Sequence, residues 1–210
     1  MIDNPALYFI TDSTGLTQEK FLSIIEEACK GGVSLVQLRE KNRSDRDFLA
    51  LGFKVKAITE RYDIPLLIDD RLDIAMILNC GVHLGQDDIP IAQARAIMGK
   101  DALIGATTKT VAHALEAQAA GADYLGVGAI FPTTTKVKTI ITKITSLNDI
   151  CNRVSIPVMA IGGLNKDNYT ILKDSPIQGM CVVSAIMKSP DPQAEARNLK
   201  QGLKRMLKRP

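Results

Sequence analysis

Three hydroxyls and one ammonium stand in a row at Thr133, Thr134, Thr135 and Lys136, directly after the apolar, glycine-containing run 122–132. Such side chains beside glycine-permitted backbone suit an oxyanion, phosphate above all. Taken alone, the segment fits a polar surface loop equally well. Other residues change that balance. Arg39 and Lys41 are cations that can converge with Lys136 on a diphosphate. Asp70 and Asp88 are carboxylates suited to Mg²⁺, which takes few protein ligands and fills its remaining positions with water and phosphate oxygens. Two plainer roles stay open for them: Asp70 can pair with Arg71, and Asp88 can cap a helix that starts at Pro90. Gly162-Gly163 and the run Val182-Val183-Ser184-Ala185-Ile186 offer backbone N–H groups for a second, monophosphate site.

His83 lies mid-strand and reads as a core or barrel-lining histidine, and His113 as a surface helix residue. No strong base or nucleophile stands out. Chemistry at such a site rests on positioning and on electrostatic stabilisation of a leaving group.

These residues need a scaffold that gathers them. Short apolar, β-branched runs at Leu7–Thr11, Leu35–Leu38, Leu66–Asp69, Gly81–Leu84, Ala102–Ala106, Tyr124–Val127, Pro157–Ile161 and Gly179–Ser184 alternate with helical patterns. Thr17 can cap a helix over Gln18–Lys30, and Asp45–Arg61 sets Phe48, Leu49, Phe53 and Ile58 in helix register. Val111–Ala120, Asn165–Lys173 and Asp191–Leu207 supply further helices. Eight strand–helix units predict a single-domain (β/α)8 TIM barrel. A doubly wound sheet would carry a glycine fingerprint after its first strand, and Ile10–Gly15 does not fit one. In a barrel the polar residues above all follow strand ends. The opposite ends are plainer, with Ala6, Ser34, Pro65, Asn79, Asp101 and Pro157.

The chain has 210 residues, 46% of them hydrophobic, and a net charge of +3, which is enough for one buried domain and too weakly basic for a nucleic-acid binder. The C-terminal basic run reads as a solvated helix face. Cys29, Cys80, Cys151 and Cys181 sit apart in apolar stretches and read as reduced core residues. With no membrane-length apolar stretch and no leader pattern, the expectation is a soluble, cytoplasmic protein, a homo-oligomer being open.

The segments Gln37-Leu38-Arg39-Glu40-Lys41, Asp69-Asp70-Arg71, 81–88, 128–136, 160–164 and 182–186, in this order and spacing, resemble the thiamine-phosphate synthase family over nearly the whole chain. The resemblance implies an enzyme that joins hydroxymethylpyrimidine diphosphate to a thiazole phosphate, or its carboxylated tautomer, giving thiamine phosphate and pyrophosphate. It implies that Gln37, Leu38, Arg39, Glu40 and Lys41 hold the pyrimidine diphosphate together with Asp69, Thr107 and Lys136. Asp70 and Asp88 would carry Mg²⁺. Thr133, Thr134, Thr135, Gly163, Val183 and Ser184 would hold the thiazole phosphate. Arg39, Lys41, Thr107 and Lys136 are the implied catalytic set. Arg39, Lys41, Lys136 and Mg²⁺ would stabilise departing pyrophosphate in a dissociative substitution that needs no protein nucleophile.

The chain departs from the family pattern at Asp69, where Asn is usual, at Thr107, where Ser is usual, at Lys109, where His is common, and in the loop after Lys136. The rival readings are the related thiazole tautomerase, another phosphate-binding barrel such as an isomerase or aldolase, and a non-catalytic paralogue that binds thiamine phosphates.

Overall fold

The computed structural model describes residues 6–133 and 140–207. Thr134, Thr135 and Lys136, three of the expected site residues, lie outside the described residues.

Eight parallel strands close on themselves in chain order. They are β1 (Ala6–Ile10), β2 (Leu35–Leu38), β3 (Leu66–Asp69), β4 (Gly81–Leu84), β5 (Ile104–Thr108), β6 (Tyr124–Gly128), β7 (Val158–Ile161) and β8 (Gly179–Val182). The helices are α1 (Gln18–Lys30), α2 (Asp45–Glu60), α3 (Leu72–Leu78), α4 (Ile91–Met98), α5 (Val111–Ala119), α6 (Ile144–Arg153), α7 (Ser184–Met187) and α8 (Pro192–Met206). The fold is the expected (β/α)8 barrel.

Residue parity along each strand divides the core into two layers. Leu7, Phe9, Val36, Leu38, Ile68, Val82, Leu125 and Val182 point outward and pack under the helices. Ala6, Tyr8, Ile10, Leu35, Leu67, Tyr124, Met159 and Cys181 point inward and fill the lumen. The register pairs Asp69 with His83, His83 with Gly105, and Gly105 with Tyr124. Polar side chains of three strands therefore sit at one height inside the barrel.

The helices begin where their caps allow. Thr17, Ser44, Thr110 and Asp191 accept the N–H groups of Lys20, Asp47, His113 and Ala194, each satisfying a donor that the first turn leaves open. Phe21, Ile24, Ile25 and Ala28 form the buried stripe of α1 as expected. In α2 the stripe runs through Phe48, Leu51, Val55 and Ile58, so Phe53 falls on the far face and is 53% exposed. Sequence spacing had put it in the core set. Two elements also differ from expectation. The segment 165–173 makes only a 3-10 turn, Tyr169–Leu172. Asn168 Oδ1 takes the Asn165 N–H and Asn165 Oδ1 takes the Asp167 N–H, which competes with helical pairing. β5 starts two residues later than its apolar run and continues to Thr108, so Thr107 lies inside the strand.

Arg95 ties the ends of two helices together. Its guanidinium donates to the carbonyls of Gly99, Ala102 and Gly121 and to Asp123 Oδ2 at 2.6–3.1 Å, and that carboxylate also accepts the Ile104 N–H at 2.7 Å. Removing it takes the donor from three carbonyls and leaves Asp123 only the Ile104 N–H, far from the cavity. We expect Arg95→Ala to cost about 3 kcal/mol and lower the melting temperature by roughly 6–12 °C, with catalysis per folded molecule unchanged; calorimetry beside an activity assay checks both.

Candidate active site

At the C-terminal ends of the strands a cavity opens into the lumen, lined on one side by Gln37, Arg39, Asp69, His83, Thr107 and Lys109. The opposite side is formed by Thr133, Ile161, Gly162, Gly163, Val183 and Ser184. One wall is charged and the other is largely backbone.

The charged wall is built on the turn after β3. Asp70 has φ 62°, a left-handed backbone that costs most residues about 1 kcal/mol and that Asp tolerates better than most. The turn is held by the Asp70 N–H donating to the His83 carbonyl at 2.9 Å and the Arg71 N–H donating to the Asp69 carbonyl at 2.8 Å. Arg71 does not pair with Asp70. It reaches out to Asp45 and Asp73 at 2.7 and 2.5 Å, which leaves the Asp70 carboxylate to the site. Asp88 does not cap α4; Pro90 holds the cap position with no side-chain hydrogen bond. Asp88 folds back to accept the Gly85 N–H at 2.6 Å and comes within hydrogen-bonding reach of Asp70. Both of the plainer roles for this pair are thus replaced by contacts that bring the two carboxyl groups together.

Lys41 bridges the acids. Its ammonium lies 2.8 Å from Asp69 Oδ2 and bonds Asp70 Oδ2. Arg39 Nε stands 3.6 Å from Asp69 Oδ2. The Lys41 ammonium is the close partner of that buried oxygen, and Arg39 adds charge from further off. Burial pushes the Asp69 carboxyl up to about 6, helped by the Asp70 charge and opposed by Lys41. Burial also works against the Asp70 carboxylate, but the Lys41 hydrogen bond and charge outweigh it and hold that group below the ordinary range. Asp88 is raised, by burial and by the Asp70 charge. Burial works against the Lys41 charge too, yet its bonds to Asp69 and Asp70 keep the ammonium above its ordinary value.

The backbone wall rests on glycine geometry. Gly163 has φ 62°, and a Cβ there would lie 2.7 Å from both Phe131 Cβ and the Pro132 carbonyl. The Asn168 amide donates to the Gly163 carbonyl at 2.9 Å and holds this turn. Ser184 opens α7, whose first N–H groups have no partner within the helix. Gly163 and Ser184 thus stand on two adjacent strand exits, the backbone arrangement that an anion cradle would use.

Other expected residues are placed as follows. Gln37, Arg39, Asp69, Thr107, Thr133, Gly163, Val183 and Ser184 line the cavity. Lys41, Asp70 and Asp88 adjoin it through Asp69. The Leu38 side chain faces outward in the helix-facing core, so only its backbone is available to a ligand. Glu40 turns away to accept from Ser13 Oγ at 2.7 Å and Arg43 Nε at 2.5 Å. Tyr8 and Tyr124 carried no expectation, though phenols at inward parity on two strands need buried partners and could have been flagged on that ground.

His83 is one of their partners. Burial lowers its pKa to about 4. The unfolded imidazole titrates near 6.5, so between about pH 6.5 and 4 the unfolded chain binds more protons than the folded one. Its contribution is therefore lost as pH falls through that window, by about 3 kcal/mol. The raised Asp69 gives the opposite slope between about 6 and its ordinary value. The clean readout is the difference between the wild type and His83→Gln. Denaturant unfolding from pH 7 to 4 should show the variant losing less stability.

For Mg²⁺ the donor set is suitable. Asp70 and Asp88 are hard oxygen ligands whose proximity is unfavourable without a cation between them. Among the described residues no group of three or more His, Cys, Asp or Glu gathers around one point. A pair of carboxylates leaves most positions to water and substrate oxygens, which is how Mg²⁺ is commonly held. No described helix is long and apolar enough to cross a membrane.

Comparison with known proteins gives the family and the fold. The family model for thiamine monophosphate synthase matches residues 7–186. A thiamine-phosphate synthase of Streptococcus pneumoniae is 46% identical over 192 residues, covering 91% of each chain. One from Methanobrevibacter smithii is 46% identical over 195 residues, covering 92% of this chain and 93% of its own. The solved thiamine phosphate pyrophosphorylase of Pyrococcus furiosus superposes with a TM-score of 0.88 at 35% identity, covering 97% of both chains. A Streptococcus mutans protein titled KGPDC, at TM-score 0.71 and 14% identity, shares the fold. The chain belongs to the thiamine monophosphate synthase family, transferases of thiamine biosynthesis built on a TIM barrel.

Proposed function

We propose that the enzyme transfers an aminopyrimidinylmethyl group from its diphosphate ester to the ring nitrogen of a thiazole phosphate, releasing pyrophosphate. The observation that supports this reading is the division of one cavity into a charged wall and a glycine-rich backbone wall. The acidic pair and the cations Arg39, Lys41 and Lys109 suit a diphosphate, and the Gly163–Ser184 cradle suits a monophosphate.

Asp70 and Asp88 would hold Mg²⁺, which when bound would supply positive charge to a leaving diphosphate. Arg39 and Lys41 add fixed charge on the same side, and Lys41 is free to turn from Asp70 to the leaving group once the acids are otherwise balanced. Thr107 and Gln37 hold the ring over the lumen. The backbone cradle fixes the thiazole nucleophile by its phosphate, so the reacting atoms meet already oriented. Cys181 lines the same cavity, but burial raises its thiol far above the ordinary value and keeps it protonated, so it offers no thiolate. A dissociative path with the charge spread over the aminopyrimidine needs no protein nucleophile.

The test is to mix purified protein with the pyrimidine diphosphate, the thiazole phosphate and Mg²⁺, with and without a chelator. We expect thiamine phosphate and pyrophosphate in equal amounts, and neither in the chelated sample. Intact substrates without product would overturn the reading and favour the tautomerase or a binding paralogue.

A further inference from the structure

Five side chains from five strands form one unbroken hydrogen-bonded path across the lumen. Gln37 Nε2 donates to Tyr8 Oη at 2.6 Å, and Tyr8 Oη meets Tyr124 Oη at 2.8 Å. Tyr124 Oη meets His83 Nδ1 at 2.8 Å, and His83 Nε2 meets Thr107 Oγ1 at 2.9 Å. Tyr8 and Tyr124 are fully buried, and His83 is nearly so. Both ends, Gln37 and Thr107, line the cavity. The path is given room by Gly105, whose Cβ would overlap Tyr124 Oη and stand 2.5 Å from His83 Nδ1.

Each phenol has one proton and two partners along the path, so the protons must all point the same way. With the Gln37 amide donating, Tyr8 donates to Tyr124 and Tyr124 donates to Nδ1. The imidazole proton then sits on Nε2 and is given to Thr107 Oγ1. The Thr107 proton is left for the cavity, and so is the Gln37 amide oxygen. Any other assignment with this amide orientation strands a phenol proton inside the core. Turning the amide over reverses every bond at once, and both ends change polarity together.

We propose that Tyr8, Tyr124 and His83 are a one-directional relay of positioning residues. They couple the Gln37 amide to the Thr107 hydroxyl, so that the cavity shows an acceptor at the first and a donor at the second. A ring edge that pairs an amine donor with a ring-nitrogen acceptor, as an aminopyrimidine does, matches that polarity. An oxo ring, with an acceptor and an N–H, asks for the opposite polarity at both ends. The ring assignment rests on the function proposed above; the relay does not.

The first experiment needs no substrate. The chain has two histidines, so ¹⁵N spectra of the ring nitrogens give His83 beside His113 as an internal reference. We expect wild-type His83 to carry its proton on Nε2, with Nδ1 unprotonated. In Gln37→Glu, the introduced carboxylate can only accept once ionised, which its ¹³C shift reports. The chain should then reverse, and the His83 proton should move to Nδ1. In Gln37→Leu nothing is stranded and the tautomer should stay as in the wild type. A wild-type proton on Nδ1, or an ionised Gln37→Glu with the proton still on Nε2, overturns the relay.

The second experiment reads its use. Tyr8→Phe cuts the path beside Gln37, whose amide loses its acceptor, and leaves both cavity-lining side chains in place. It should lower kcat/KM for the pyrimidine diphosphate about tenfold, while the KM for the thiazole phosphate holds and the melting temperature falls by only a few degrees. It should also narrow the preference for the amino over the oxo ring. An unchanged preference beside a confirmed tautomer switch would sink the recognition role. If no variant or wild type makes product, the synthase reading fails and the tautomer result still stands on its own.

Discussion

Asp70→Asn is expected to lower Mg²⁺-dependent product formation by about 10²–10³-fold, the cost that the proposed mechanism assigns to losing a few kcal/mol of charge stabilisation at the departing diphosphate. Asn is the informative replacement. Position 70 has φ 62°, a backbone that Asn adopts readily and Ala does not, so the turn after β3 survives and only the charge is lost. The partners left behind are satisfied. Lys41 keeps Asp69 at 2.8 Å, and Asp88 keeps the Gly85 N–H. The fold should hold within about 1 kcal/mol by denaturant unfolding. The KM for the thiazole phosphate should not move, because the cradle proposed for it lies on the far wall of the cavity. Undiminished Mg²⁺-dependent turnover in this variant would remove Asp70 from the metal role.

Lys41→Met carries the second large effect, with opposite signs on binding and turnover. The Lys41 ammonium sits against Asp69 and Asp70, where it already neutralises the acids that would take a cation. A metal must displace that charge. Removing it should tighten Mg²⁺ binding to the substrate-free protein by about tenfold, read by titration calorimetry. Turnover should nevertheless fall by about 10²-fold, because the same ammonium is then missing from the leaving diphosphate. Met keeps the stem that packs beside Asp69, so a loss of folding does not mimic this result. Weaker Mg²⁺ binding in the variant would show that Lys41 supports the acidic pair and does not compete for it.

The halves of this site were unequally visible in the chain. Its residue types and their strand ends could be read directly, because alternation along β2, β3 and β5 marks which side chains enter the lumen. Pairings could not. Asp70 is next to Arg71 in sequence, yet Arg71 spends its guanidinium on Asp45 and Asp73. Asp88 looks like a cap for the helix beyond Pro90, yet it closes on Gly85. Glu40, inside the most recognisable stretch, belongs to Ser13 and Arg43. In each case a neighbour that looked obligatory lost to a partner set by the turn geometry at a strand exit.

What the sequence alone determined was the strand–helix alternation, the cap at Thr17, the acids after β3 and β4, and the glycines beside β7. Those are local signals: propensity, periodicity and turn chemistry act over a few residues. What only the tertiary structure decided was contact between distant residues. Tyr8 meets Tyr124 from 116 positions away, His83 meets Thr107 across 24, and Lys41 reaches Asp70 across 29. Those meetings depend on the barrel closing with one register, since a shift of one residue in any strand sends its inward side chains to the helix layer. Barrel closure turns separate positions on the strands into one cavity with a charged wall, a backbone wall and a hydrogen-bonded path beneath it.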